Sequence, residues 1–409
     1  AYHGYWINDF LTIDPHWGTN ADFKAFVDCA QSQGIKVVLD IVMNHTGDVI
    51  SYNGSGKAVI PAGRQNAKNP AWLNKLTNYN NRGDVRDWND KFWAQNGDFF
   101  GLDDLFTEKP EVVDGMIKLW SSWITKFDID GYRIDTAKHV NPEFWNVFIP
   151  KVMETAKKAG KIDFAIFGEV YDANPYLLST FVHEQSFPSV LDFGFQRYGL
   201  AFARTDGQIP RLVDLFNQDD LYTTSTQSVY GIPTFLGNHD MGRVGYFIHS
   251  ATYGDDDLTL RRSKLANEVL FFSRGAPVLY YGDEKGMVGT GGDKAARQDM
   301  FPTGVLEWQD EIRIGSTPIG TKSAFDVVNP LQLQITEINK LIAQNPALRK
   351  GTQQLRATSR NSIAFSRYLD GQEYLVVLNS GDESDSLDAP VSIQSSWEQI
   401  YGPKASFST

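Results

Sequence analysis

Three acids, Asp135, Glu169 and Asp240, stand just after short apolar runs of strand length: FDIDGYRI at 127–134, KIDFAIFG at 161–168 and GIPTFLG at 231–237. A fourth run, IKVVLDIV at 35–42, carries Asp40 and leads into Asn44 and His45. Acids at the C-terminal ends of several parallel strands converge in an eight-stranded α/β barrel, whatever their separation in sequence. Around one polyol, three carboxylates suit glycosidic bond cleavage. One attacks or activates water, a second stays protonated to donate to the leaving oxygen, and a third stabilises an oxocarbenium-like centre. Arg133 lies two residues before Asp135, so the strand period of two places both on one side. It is expected to pair with Asp135, orient it and lower its pKa. Any one of these acids alone would read as a solvated loop residue or a helix cap.

The elements that must position them alternate in type. Between and around the strand-like runs lie amphipathic stretches such as PEVVDGMIKLWSSWITKF, NPEFWNVFIPKVMETAKKAG and RRSKLANEVLFFS, with SVLDF at 189–193 and APVLYYG at 276–282 as further strands. This is the pattern of strand–crossover–strand units around a mostly parallel sheet. The expected domains are a barrel over 1–46 and 107–350, a loop-rich insertion over 47–106 and a C-terminal antiparallel β domain over 351–409. In the insertion periodicity fails and Gly, Asn, Asp and Trp dominate, and so long a loop usually has a functional reason. The β domain follows the helix LQLQITEINKLIAQNPALRKG, with NSIAFSRYLD, QEYLVVLNSG and PVSIQSSW as its strands.

The chain has 409 residues, enough for one large core with smaller appendages. Its formal charge of −12 disfavours nucleic acid and anionic membrane as partners and is compatible with a neutral sugar. The single cysteine, Cys29, cannot form an intrachain disulfide and reads as a buried helical residue. Neither a membrane span, a signal peptide, a Walker or Rossmann glycine motif, nor an HExxH metal motif is visible. The chain opens on alanine, so a removed leader is one reading. A secreted or periplasmic location is expected, with a cytoplasmic one open.

Seven motifs stand in order over about 280 residues: YHGYW at 2–6, DIVMNH at 40–45, LDDL at 102–105, GYRIDTAKH at 131–139, GEV at 168–170, FLGNHD at 235–240 and YYGDE at 280–284. In these the chain resembles the α-amylase family of retaining glycoside hydrolases and transglycosylases, glycoside hydrolase family 13. The resemblance implies a (β/α)8 TIM barrel with the insertion after its third strand and an α-glucan or maltooligosaccharide as substrate. It makes Asp135 the nucleophile, Glu169 the general acid and then base, and Asp240 the acid that holds the distorted sugar. His45 and His239 would donate to hydroxyls on the nonreducing side, Tyr5 would stack there with His3 nearby, and Lys138 and His139 would contact the leaving side. It also implies calcium, bound by Asn44, Asp104 and the carbonyl of His139, all hard oxygen donors. Asp84, Asp87, Asp90 and Asp98 are the open choices for a further ligand.

Two departures from the family pattern bear on activity and completeness. The insertion reads FFGLDDLF, where many relatives have proline before the second aspartate, and this sits nearer the amylases and cyclodextrin-forming enzymes than the α-1,6-glucosidases. The chain also begins at the motif that follows the second barrel strand in relatives, so the first two strands are expected from upstream residues, with an N-terminal fragment completing the barrel as one reading. Endo-acting hydrolysis of α-1,4-glucosidic bonds is the leading expectation. A 4-α-glucanotransferase or cyclodextrin- or maltooligosaccharide-forming enzyme is the alternative, since water and a sugar hydroxyl compete for one intermediate. An inactive glucan-binding scaffold is disfavoured by the presence of all three acids. Trp72, Trp88, Trp93, Phe99 and Phe100 read first as the core of the insertion and second as sugar-stacking rings.

Overall fold

The structure, a computed structural model, describes residues 3–205, 207–392 and 397–406. By contacts the chain divides into two compact units, one of Ala1–Phe193 with Leu221–Pro233 and one of Gly194–Asp220 with Thr234–Thr409. The fold is mixed α/β, with a parallel sheet and a separate C-terminal antiparallel sheet.

In the first unit α1 (Asn20–Ser32) precedes β1 (Val38–Val42), and the insertion separates β1 from α2 (Pro110–Phe127). Then β2 (Gly131–Asp135), α3 (Pro142–Lys158), β3 (Ala165–Gly168), α4 (Pro175–Glu184) and β4 (Ser189–Val190) follow in strict alternation. The four strands pair in parallel in chain order, the arrangement of a barrel sector. Helix α2 shows why the pattern folds this way. Pro110 opens it, Asp128 closes it in the left-handed region, and Val112, Met116, Leu119, Trp120, Trp123 and Phe127 bury one face. All five residues of β2 are buried, and its first must be glycine, since a Cβ on Gly131 would lie 2.6 Å from the Ala165 oxygen. Cys29 corrects the sequence reading: it is exposed, because α1 buries Val27 and leaves the face of Cys29 in solvent.

Polar contacts organise the insertion. Asp103 accepts hydrogen bonds from the Val49 and Ile50 amides at 3.0 Å each and pairs with Lys68. Both side chains of that ion pair are 2% exposed, and the Lys68 ammonium lies 4.1 Å from the centre of the Tyr79 ring.

In the second unit α5 (Phe193–Arg204) and α6 (Ile209–Phe216) precede α7 (Val244–Ala251), α8 (Asp256–Phe272) and α9 (Pro330–Gln344). Near Thr234 and Ala276–Pro277 the chain is extended, and the Val278 amide donates to the Thr234 carbonyl at 2.7 Å. The antiparallel sheet consists of β5 (Thr352–Thr358), β6 (Ser362–Leu369) and β7 (Gln372–Asn379) in that order. Its β6 and β7 are the two runs expected first, and residues 393–396 of the expected PVSIQSSW strand lie outside the described residues. Among the described residues no helix is long and apolar enough to cross a membrane.

Removing one member of a buried ion pair leaves an uncompensated charge, which costs about 3–5 kcal/mol. Asp103→Ala is therefore expected to lower unfolding stability by about that much, since it strands Lys68 and two backbone amides. Denaturant titration of the variant beside the parent checks this; a loss below about 1 kcal/mol would show that the pair does not hold the insertion.

Candidate active site

The parallel register sets Asp40 of β1 beside Arg133 of β2, and Ile134 beside Gly168, which puts Glu169 at the next step. Arg133 uses the closeness of these strand ends fully. One guanidinium nitrogen donates to Asp40 at 2.9 Å and to Asp135 at 2.7 Å, and the other lies 3.1 Å from Glu169. The Thr136 amide donates to the same Glu169 oxygen at 2.9 Å. Thr136 holds φ +47°, a left-handed conformation rare for a β-branched residue, and its buried hydroxyl has no hydrogen-bond partner among the described residues. The Tyr5 hydroxyl donates to the second Asp40 oxygen at 2.8 Å and is held protonated by burial.

Arg133 orients Asp135 as the sequence predicts, but the expected fall in pKa is not what the surroundings produce. Burial, and then the Glu169 carboxylate, push the Asp135 carboxyl well above its ordinary range, against the pull of Arg133. One cation shared with Glu169 and the more exposed Asp40 does not offset the desolvation of Asp135.

A second group lies on the insertion side of the same unit. His45 is 1% exposed, hydrogen-bonds to the Tyr5 carbonyl, and has a buried Nε2 with no partner among the described residues. Burial drives its pKa down to about 3, so its ring is neutral. Phe99 stacks on it at 5.6 Å and meets His139 edge-on at 5.0 Å. The His139 ring is fixed by a 2.8 Å hydrogen bond between Nδ1 and the Ala94 carbonyl. Trp88 and Phe100 stack at 4.9 Å, with Phe100 76% exposed, so these two rings face solvent while Trp72 packs on the core. Lys138 pairs with Asp172 at 3.0 Å, and His3 accepts from the Tyr5 amide at 2.9 Å.

His239 and Asp240 belong to the second unit. There the Asn238 side chain accepts from the Asp240 and Met241 amides at 3.0 and 2.8 Å, shaping the turn. Asp240 is met by His239 at 3.0 Å and by Arg297 at 3.2 Å. Arg297 and Asp172 were missed from sequence: each is a loop residue, 57 and 34 positions from its partner, with no local pattern to mark it.

The expected calcium ligands can be tested on charge. Asn44 and Asp104 are buried neighbours, and the Leu105 amide donates to the Asn44 carbonyl at 2.9 Å. Asp104 is 2% exposed and accepts from Asn80 at 2.7 Å, but it has no ion pair among the described residues, and burial pushes its carboxyl well above the usual range. A buried carboxylate lacking a cation, beside an amide oxygen, fits a hard metal ion. Of the four open acids, Asp98 lies nearest, accepting from the Asp104 amide at 3.3 Å, while Asp87 and Asp90 accept from backbone amides of their own turns. Among the described residues no group of three or more His, Cys, Asp or Glu side chains is placed to hold a metal.

The family model of the α-amylase catalytic domain matches residues 1–316. The chain belongs to the α-amylase family. It is 39% identical to an α-amylase of Streptomyces lividans over 99% of its own length and 49% of that relative, so it spans about half of the protein it matches. An α-amylase from Geobacillus thermoleovorans complexed with acarbose superposes with a TM-score of 0.74 at 28% identity, covering 94% of this chain and 74% of the other. CldA, a cyclomaltodextrin glucanotransferase with a three-domain arrangement, gives 0.71 at 27% identity over 92% and 70%.

The depressed pKa of His45 carries a signed consequence for this family member. Between its unfolded value of 6.5 and about 3 the unfolded chain takes up a proton that the folded chain does not. The contribution of His45 to stability is therefore fully present above 6.5 and lost as pH falls below it. From pH 7 to pH 5 the loss is about 2 kcal/mol. His45→Gln is expected to remove that share of the pH dependence, read from urea unfolding at the two pH values; an unchanged dependence would mean that His45 is protonated in the folded protein.

Proposed function

We propose that this chain cleaves α-1,4-glucosidic bonds of starch-like glucans with retention of configuration, through a covalent glycosyl-enzyme on Asp135. The observation that carries the reading is the single buried guanidinium of Arg133 bridging Asp135 and Glu169. It orients one carboxylate for attack and holds the other alongside it. Because burial and mutual repulsion favour a shared proton, the pair suits one ionised nucleophile and one protonated donor. Glu169 then gives its proton to the leaving oxygen and later removes one from the incoming hydroxyl. Asp240, steadied by Arg297 and His239, would bind sugar hydroxyls as the ring flattens. His45, neutral and with a free Nε2, would bond another hydroxyl; His3 and Tyr5 would flank the nonreducing sugar, and Lys138 and His139 the leaving one.

Endo-hydrolysis is the reading favoured by likeness to the Streptomyces α-amylase. Transfer to a sugar acceptor is the second reading, supported by the exposed stacked rings of Trp88 and Phe100, which offer an acceptor an apolar platform, and by likeness to a cyclomaltodextrin glucanotransferase. Both use the same intermediate. Asp135→Asn is expected to lower kcat by several orders of magnitude with the fold retained. Maltoheptaose digestion by the parent should release the α-anomer first, as two displacements through a glycosyl-enzyme require. Shorter products alone assign hydrolysis, and longer or cyclic ones assign transfer. Release of the β-anomer, or a variant retaining more than a few per cent of kcat, would overturn the mechanism.

We also propose a calcium ion held by Asn44, Asp104 and the carbonyl of His139, which would tie the insertion to the strand ends and supply the charge that Asp104 lacks. Ion-free protein is expected to show a higher Tm as calcium is added, reversed by chelator. A Tm indifferent to both tells against the ion.

A further inference from the structure

In the second unit, α5, α6 and the turn after Asp240 enclose a cleft of about 410 Å³. The charged residues that line it are all arginines. Arg197 and Arg204 lie seven residues apart, on one face of α5, and Arg211 comes from α6. No ion pair involves any of the three among the described residues, and Asp206, close by in sequence, lies outside them. The Nε of Arg204 is buried without a hydrogen-bond partner.

This is an unusual place for unpaired positive charge. The chain carries a formal charge of −12, and a carboxylate within reach of these guanidinium groups would gain Coulomb energy at no great desolvation cost. Among the described residues no carboxylate answers the three arginines, so the cleft offers its positive charge to an anion. Guanidinium forks match phosphate in geometry and charge. The rest of the lining is amphipathic: the amides of Gln196 and Gln208 and the rings of Tyr198 and Phe247. Amides beside aromatic rings suit a polyol with apolar faces. The volume is at the lower end for small-molecule sites, with room for one sugar ring and its phosphate rather than for a chain.

We propose that this cleft binds a phosphorylated monosaccharide, its phosphate held by Arg204 and Arg211, with Arg197 at the rim and the sugar against Tyr198 and Phe247. The site is separate in its residues from those assigned to glucan cleavage, and Met241, which also lines it, is the next residue after Asp240. Occupancy would thus be felt beside the third acid.

Isothermal titration of the whole chain with glucose 6-phosphate, inorganic phosphate, adenosine monophosphate and glucose separates the sources of affinity. Glucose 6-phosphate is expected to bind, inorganic phosphate about tenfold more weakly, and glucose to give no heat that depends on the arginines. The Arg204→Ala/Arg211→Ala variant should lose affinity for glucose 6-phosphate by about tenfold or more while circular dichroism and maltoheptaose cleavage are unchanged. The exposed-site variant Arg197→Glu/Arg211→Glu reads the same loss if the first pair does not fold. Absent binding, or binding indifferent to both variants, overturns the site. Equal affinity for inorganic phosphate, or tighter binding of adenosine monophosphate, overturns the sugar assignment.

Discussion

A guanidinium with 9% side-chain exposure, facing three carboxylates and a tyrosine hydroxyl, is the interaction on which the first unit depends. A charge so desolvated is tolerable only when partnered, and the partners of Arg133 come from three consecutive strands and the N-terminal segment. The register of β1, β2 and β3 is therefore an electrostatic requirement as much as a matter of backbone pairing: a slip of one residue would turn Arg133 and Asp135 together to the opposite face and part the guanidinium from Asp40 and Glu169. The same excess of negative charge over positive, with burial, raises the Asp135 carboxyl above its ordinary range and favours its protonated form. That condition is useful to a pair of acids with different duties, and it arises without any residue dedicated to tuning.

Legibility from sequence followed the distance over which each signal acts. The strand-end acids could be read because their runs are short, apolar and bounded, and because a period of two places Arg133 and Asp135 on one side. The alternation of α2, β2, α3, β3 was visible for the same reason. What escaped were quantities set by the packed whole. The rise in the Asp135 pKa comes from burial and from Glu169, neither of which local sequence reports. Arg297 reaches Asp240 across a loop with no periodicity, and Cys29 proved to lie on the outer face of a helix whose burial is carried by Val27.

The insertion shows the opposite regime. Its order comes from Asp103, Lys68, Asn80 and Asp104, side chains that satisfy backbone amides and one another in a desolvated place. Hydrophobic periodicity is silent there because the residues that the insertion does bury, among them Ile50, Leu73, Tyr79 and Leu105, come from short irregular turns rather than from one helix or strand face. Its aromatic rings differ in burial. Trp72 is partly buried against the core, whereas Trp88 and Phe100 stay in water.

Thr136 joins the strand of Asp135 to the turn that follows, and it does so in a conformation that its β-branched side chain resists. Glycine would relax there at once, and a search for hardier variants would be drawn to that position. Yet the strained peptide is the one whose amide meets Glu169. Robustness and alignment are thus set against each other at a single peptide unit, and selection for heat tolerance would run through catalysis at that position before it reached the surface.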